Sequence, residues 1–157
     1  MNLSSLPVTH RAVIPEDFID GFGHVNVMWY THLFTEGAGG LFRLVGLTCE
    51  HFTANRAASF ALAQHFRYLK EVRLGQHVTL HSRVLGRSAK RWHMIHFMTI
   101  DEPDMLAATA EVVSTYLDMT VRRSAVMPAV ITDAIDRLLT EHASLGWDAP
   151  VCGAMKP

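Results

Sequence analysis

A chain of 157 residues has room for one sizeable core and little more. Hydrophobic residues at 49% and charged residues at 18% describe a globular chain and exclude a disordered or fibrous one. With 14 Lys+Arg against 15 Asp+Glu, no whole-chain field draws the protein to nucleic acid or to an anionic membrane, so any anion site must be a local cluster.

The opening MNLSSLPVTH has neither the basic start nor the apolar run of a signal peptide, and no later apolar stretch approaches the ~20 residues a membrane span needs. A cytoplasmic protein is therefore expected. Residues 8–14 suit a first strand stopped by Pro15, and the acidic, glycine-containing run 16–23 reads as a loop. From 26 to 45, Val27, Tyr30, Phe34, Ala38, Leu41, Phe42 and Val45 recur at helical spacing, with Asn26 as N-cap and Gly46 as C-cap. Gly37, Gly39 and Gly40 interrupt that helix at about 1 kcal/mol each relative to Ala. Tertiary packing must hold it, and a sheet backbone passing close by would explain the glycines. Extended segments follow at 59–72, 77–85, 91–100 and 106–121, divided by turn chemistry around Gly75, at 86–88 and at 101–104. Their short connections predict an antiparallel meander. A short helix at 132–142 ends the pattern, giving a single domain with its core at 8–144 and a tail at 145–157 that is weakly ordered after Gly146.

One strand, one long helix and four long strands predict an α+β protein in which an antiparallel sheet wraps around one long central helix. One helix cannot cover a wide sheet, so an exposed edge or face should serve self-association. Cys49 and Cys152 are far apart and in no metal-box spacing, which fits free thiols in a reducing compartment. In a strand the spacing of His77/His81 keeps both side chains on one face and that of His93/His96 sends them to opposite faces, and with no HExxH or Cys/His box neither pair reads as a metal motif. Neither a metal nor a cofactor is expected.

Chemistry concentrates in Asp20-Gly21-Phe22-Gly23-His24-Val25-Asn26, which sets a carboxylate just ahead of a helix start. Unpaired backbone N–H groups there attract negative charge and can polarise a carbonyl. Asp20 suits either activation of water or direct attack to form a mixed anhydride, and also suits a plain solvated turn residue. His24 suits a turn histidine that fixes the loop more readily than a proton shuttle.

The stretch 13–26, followed by Tyr30, Phe34, Ala38 and Gly46-Leu47, resembles the opening signature of the 4-hydroxybenzoyl-CoA thioesterase-like family, D-x-x-G-H-V-N-N-x-x-Y with G-L after the helix. Similarity continues through His65-Phe66-Arg67-Tyr68 and Gly75 to 123–128, over about 8–140. The resemblance implies the hotdog fold, dimers or dimers of dimers, and hydrolysis of acyl-CoA, with the catalytic carboxylate at Asp20 and the thioester-facing N–H near Val27. Two departures stand out: Val27 replaces the second Asn of the motif, and Phe18 stands where some members carry a further Asp. The runs 67–71, 89–93, 108–111 and Leu117-Asp118 are similar to the branch tied to carnitine degradation, whose substrate is betainyl-CoA.

A CoA substrate brings phosphates that need local cations, and Arg87, Ser88, Lys90 and Arg91 form the densest basic cluster; an exposed hairpin kept soluble by charge explains it equally well. Phe22, Trp29 and Tyr68, with Asn26, are candidates for the acyl pocket, and core or interface roles compete for the aromatics. The expected partner is therefore an acyl-CoA substrate within a homodimer or homotetramer. Two other functions stay open: a hotdog dehydratase pairing a His with an acid, although His24 precedes the helix and Glu36 lies nearly three turns into it without the associated motif, and a non-catalytic acyl-binding protein.

Overall fold

The computed structural model describes residues 1–102 and 104–157, so Pro103 of the expected 101–104 turn lies outside the described residues. In chain order the elements are β1 (Val8–Val13), α1 (Val27–Leu44), α2 (Cys49–Ala54), β2 (Ala57–Tyr68), β3 (His77–Arg87), β4 (Arg91–Ile100), β5 (Met105–Asp118), β6 (Arg123–Ser124) and α3 (Ala129–Ala143). The sheet runs β1-β3-β4-β5-β2, antiparallel throughout, with β6 added to β5. It curls around α1 in the hotdog fold that the resemblance implied.

Only β3, β4 and β5 form the expected meander. β2 ends at Tyr68, four residues before the predicted limit, because the N–H groups of both Leu69 and Lys70 turn onto the Ala107 carbonyl, at 2.8 and 3.0 Å. The chain then crosses the end of the sheet to reach β3, which leaves β2 paired to β5 from Ala57↔Asp118 to Tyr68↔Ala108 and otherwise an open edge. That crossing carries Val72 beneath the start of α1, where its carbonyl accepts the Val25 N–H at 2.8 Å.

α1 starts where its cap predicts: the Asn26 side chain accepts the Met28 N–H at 3.0 Å. Its buried stripe is Tyr30, Leu33, Phe34, Gly37, Gly40 and Leu41. Val27, counted on the core face by spacing, is instead 58% exposed at the first turn. The glycines mark the expected close approach. A Cβ on Gly40 would lie 1.9 Å from the Thr9 carbonyl oxygen of β1, and one on Gly37 would lie 2.7 Å from Leu80 Cδ2. Gly39 faces away, with only the end of Arg43 within 4 Å.

His96 lies fully buried on the helix side of β4, between Met94 and Met98. Its Nδ1 is 2.6 Å from Ser82 Oγ, which is 2.7 Å from Thr9 Oγ1, and its Nε2 has no partner among the described residues. Burial lowers its pKa from 6.5 to about 4. As pH falls below 6.5 the unfolded chain takes up a proton that native His96 refuses until about 4, so stability is lost across that interval. Burial shifts His81 and His142 the same way. The expected result in a pH series of thermal unfolding is a steeper acid decline for the wild type than for His96→Met; equal slopes would contradict the assignment.

The face of the sheet opposite α1 is covered by the chain's own ends. Leu3 and Leu6 from the N-terminus and Leu145, Trp147 and Ala149 from the C-terminus pack on Ile95 and Phe97. The segment after Gly146 therefore docks rather than trailing as a weakly ordered tail. Arg83 explains the docking: its guanidinium lies 4.4 Å from the Trp147 ring centroid, and it donates to the Trp147 and His142 carbonyls at 2.8 and 3.1 Å. The strands at the two edges of the sheet are β1, of six residues, and the longer β2, of twelve.

Candidate active site

A cavity of roughly 600 Å³ opens where the 20–26 loop, the start of α1 and the end of β2 meet. The loop is held at both ends. Ile19 and Val25 form an isolated antiparallel bridge, and the Asp20 N–H donates to the His24 carbonyl at 2.9 Å. Gly23, at φ +84°, closes the turn by donating to the Asp20 carbonyl at 3.1 Å, in a left-handed conformation that favours glycine.

This turn fixes the Asp20 carboxylate. Oδ1 accepts the Phe22 N–H at 2.9 Å, and Oδ2 faces His24 Nδ1 at 3.4 Å, with the side chains 18% and 33% exposed. One oxygen is thus anchored by a backbone donor while the other faces His24. The neighbouring donor is the Val27 N–H, the first of α1, which has no acceptor among the described residues. Asn26 does not compete for it, because its side chain caps the Met28 N–H.

Six of the predicted site residues, Asp20, Phe22, His24, Asn26, Val27 and Tyr68, line this one cavity. Trp29 does not. Its ring stacks on Phe18 at 4.0 Å and 9°, so one of its faces is taken by a neighbour. The basic cluster also lies elsewhere. Arg91 pairs with Thr115 and Tyr68 with Ala108, so seven residues of β5, about 23 Å at ~3.3 Å per residue, separate the 88–91 turn from the cavity within one chain. Arg87 is further committed to α3, where its Nε donates to Asp136 at 2.6 Å and its Nη2 makes a second bond to the same carboxylate. Ser88 caps its own turn, its Oγ accepting the Arg91 N–H at 3.2 Å.

The cavity also contains residues given no role from sequence. Tyr30, Leu69, Lys70 and Glu71 complete its wall. The Tyr30 hydroxyl accepts the Val72 N–H at 3.2 Å and is 3.4 Å from the Lys70 carbonyl, tying α1 to the crossing segment; burial raises its pKa. The Tyr30 and Tyr68 rings meet edge to face at 5.1 Å. The available signal was the break in strand pattern after Tyr68, which converts three strand positions into a cavity wall.

A carboxylate and a helix-start donor without an acceptor among the described residues thus open on one cleft within this fold. The chain belongs to the thioesterase-like superfamily, a family of thioester hydrolases, whose model matches residues 13–135. It is 23% identical over 143 residues to the betainyl-CoA thioesterase of Pseudomonas aeruginosa, covering 91% of this chain and 90% of that protein. It is 27% identical over 144 residues to the L-carnitine dehydrogenase/betainyl-CoA thioesterase of Agrobacterium fabrum, covering 87% of this chain but spanning only 29% of that longer protein. Among solved structures, a Staphylococcus aureus protein in complex with CoA superposes with a TM-score of 0.84 at 24% identity, covering 91% of this chain and 90% of that one. The 1,4-dihydroxy-2-naphthoyl-CoA thioesterase of Synechocystis gives 0.74 at 17%, covering 83% and 96%. At these identities the structural likeness carries the fold.

Proposed function

We propose that this protein is an acyl-CoA thioesterase that hydrolyses a small acyl-CoA at the Asp20 cavity. The observation that carries this reading is the convergence of the Asp20 carboxylate and the unpaired Val27 N–H on one cleft. With the thioester oxygen on the Val27 N–H, carbonyl polarisation and the charge of the tetrahedral intermediate are both met by a donor already oriented. As a base, Asp20 takes a proton from water while the water oxygen bonds to the carbonyl carbon; the C–S bond then breaks and CoA leaves as its thiol with that proton. As a nucleophile, Asp20 expels the CoA thiolate and forms an anhydride that water then cleaves. His24 orients the carboxylate in either route.

The open edge supports a homo-oligomer. β2 is twelve residues long, exposes Phe60 and Leu62, and has hydrogen-bond partners on one side only. Such an edge is normally covered. Two β2 edges paired antiparallel would bring the start of one strand beside the end of the other, and with it the 88–91 turn of the partner subunit towards the cavity. Lys90 and Arg91 are in this arrangement the cations for the CoA phosphates, with Lys70 supplied from the cavity's own wall. Arg87 is not needed. Two exposed, unpaired thiols fit a reducing cytoplasm, and no helix among the described residues is long and apolar enough to cross a membrane.

The carnitine-type relatives favour betainyl-CoA as substrate. A quaternary ammonium group attracts aromatic faces and carboxylates, and the cavity offers Tyr68, Phe22 and Glu71 for that purpose in place of Trp29. Dehydration is disfavoured, because Glu36 is exposed on α1 and does not line the cavity with His24. The expected result in a thiol-release panel is that betainyl-CoA outruns neutral acyl-CoAs of similar size. Tyr68→Leu should erase most of that advantage, about 10-fold in kcat/KM for a cation–π contact worth ~1–2 kcal/mol. A preference for aromatic or long acyl groups rejects the substrate and keeps the thioesterase; binding without thiol release rejects both.

A further inference from the structure

The hydrolytic site leaves unused a second group of reactive side chains on the opposite face of the sheet. Glu111 of β5 is 1% exposed, and its two oxygens have different surroundings. Oε1 is 2.8 Å from His93 Nε2 on β4. Oε2 accepts the Cys152 N–H at 2.6 Å and lies 4.0 Å from His65 Nδ1, on the residue directly opposite in β2. Donor atoms of His65, Glu111 and Cys152 all lie within 4.8 Å of one another.

We infer that His65, Glu111 and Cys152 form a binding site for one divalent transition metal of the zinc class, which fastens the C-terminal segment to the sheet. The donor set is one imidazole, one carboxylate and one thiolate, a combination that suits zinc and leaves a fourth position for water. A tetrahedral ion with bonds of about 2.0–2.3 Å needs these donors to close by well under ~1 Å each, which rotation of the half-exposed His65 and the exposed Cys152 side chains supplies. His93 behind Oε1 fixes the carboxylate and leaves Oε2 directed at the other donors. Oε2 can keep the Cys152 N–H and still ligate, since a carboxylate oxygen has two acceptor sites.

The site has a structural consequence. The C-terminal segment is already pinned at Trp147 by Arg83, and a metal at Cys152 pins it a second time, five residues on. A buried carboxylate also gains the positive charge that its burial demands. The inference is independent of the thioesterase reading, because none of these residues lines the Asp20 cavity.

Cobalt titration of the untagged chain tests it, with Co²⁺ as a spectroscopic stand-in for Zn²⁺. The expected result is one equivalent bound with a thiolate-to-cobalt charge-transfer band, and a melting temperature raised by Zn²⁺ and lowered again by a chelator. Cys152→Ser should abolish the band and Cys49→Ser should keep it, both being exposed thiols. His65→Gln, which alters a half-exposed side chain and should fold, should weaken binding by more than the ~10–100-fold that losing an outer partner of a ligand costs. No thiolate band, or a band that survives Cys152→Ser, overturns the site.

Discussion

Gly40→Ala is expected to lower the melting temperature by about 6–12 °C or to prevent folding. The added methyl would lie 1.9 Å from the Thr9 carbonyl oxygen, an approach no contact tolerates. The obstacle is backbone in β1, and that strand is fixed by its pairing with β3. Overpacking a core typically costs about 1–3 kcal/mol, and a clash with backbone belongs at or beyond the upper end. For a chain of this length each kcal/mol moves the midpoint by ~2–4 °C. Gly39→Ala is the control one residue away. Its methyl meets only the flexible end of Arg43, at 3.7 Å, so the helix propensity of Ala should show as a gain of up to ~1 kcal/mol. Thermal unfolding of the pair separates the two causes; a similar change in both would mean that α1 does not press on β1 as described.

Those glycines illustrate how the fold could be read from sequence. Three of them in a helix with a strong N-cap demanded an external reason, and backbone proximity supplied it at Gly40, with the Leu80 side chain playing that part at Gly37. Gly39 carried no such meaning. Strand periodicity placed β4 at its observed limits, 91–100, but could not show that β2 pairs with β5, because pairing order depends on the path of the 69–76 crossing. α2 and β6 went unforeseen. α2 has six residues and relies on the Thr48 side chain accepting the His51 N–H at 3.2 Å, and β6 has two residues, both too short for a period to register. The docking of Trp147 was hidden for another reason: its partner Arg83 is 64 residues away in the chain.

The site divides along the same line. Residues in the 20–27 loop and helix start were legible because their neighbours in sequence are also their neighbours in space. Trp29 and Arg87 were not, since what occupies them comes from outside their own element: Phe18 from the loop before α1, Asp136 from α3. Lys70 and Glu71 joined the cavity through the unpredicted end of β2. The His65, Glu111 and Cys152 group was equally invisible, as its members come from two strands and the C-terminal segment, and His93 faces it only because its neighbour in spacing, His96, points to the other side.

The proposed hydrolysis depends on Asp20. Asn at this position keeps the size of the side chain and an oxygen for the Phe22 N–H while removing charge, basicity and nucleophilicity, so substrate should still bind. Loss of the group proposed to start either route is expected to lower kcat by on the order of 10²- to 10⁴-fold, with little change in KM or melting temperature. Asp17, exposed in the short 3-10 turn Glu16–Phe18, shares the loop's charge but not the cavity, and Asp17→Asn should leave kcat near the wild-type value. Steady-state thiol release from betainyl-CoA by wild type, Asp20→Asn and Asp17→Asn therefore decides the matter. Sustained turnover by wild type and Asp17→Asn with collapse in Asp20→Asn is the predicted result; near-normal turnover by Asp20→Asn, or loss in Asp17→Asn instead, would contradict it.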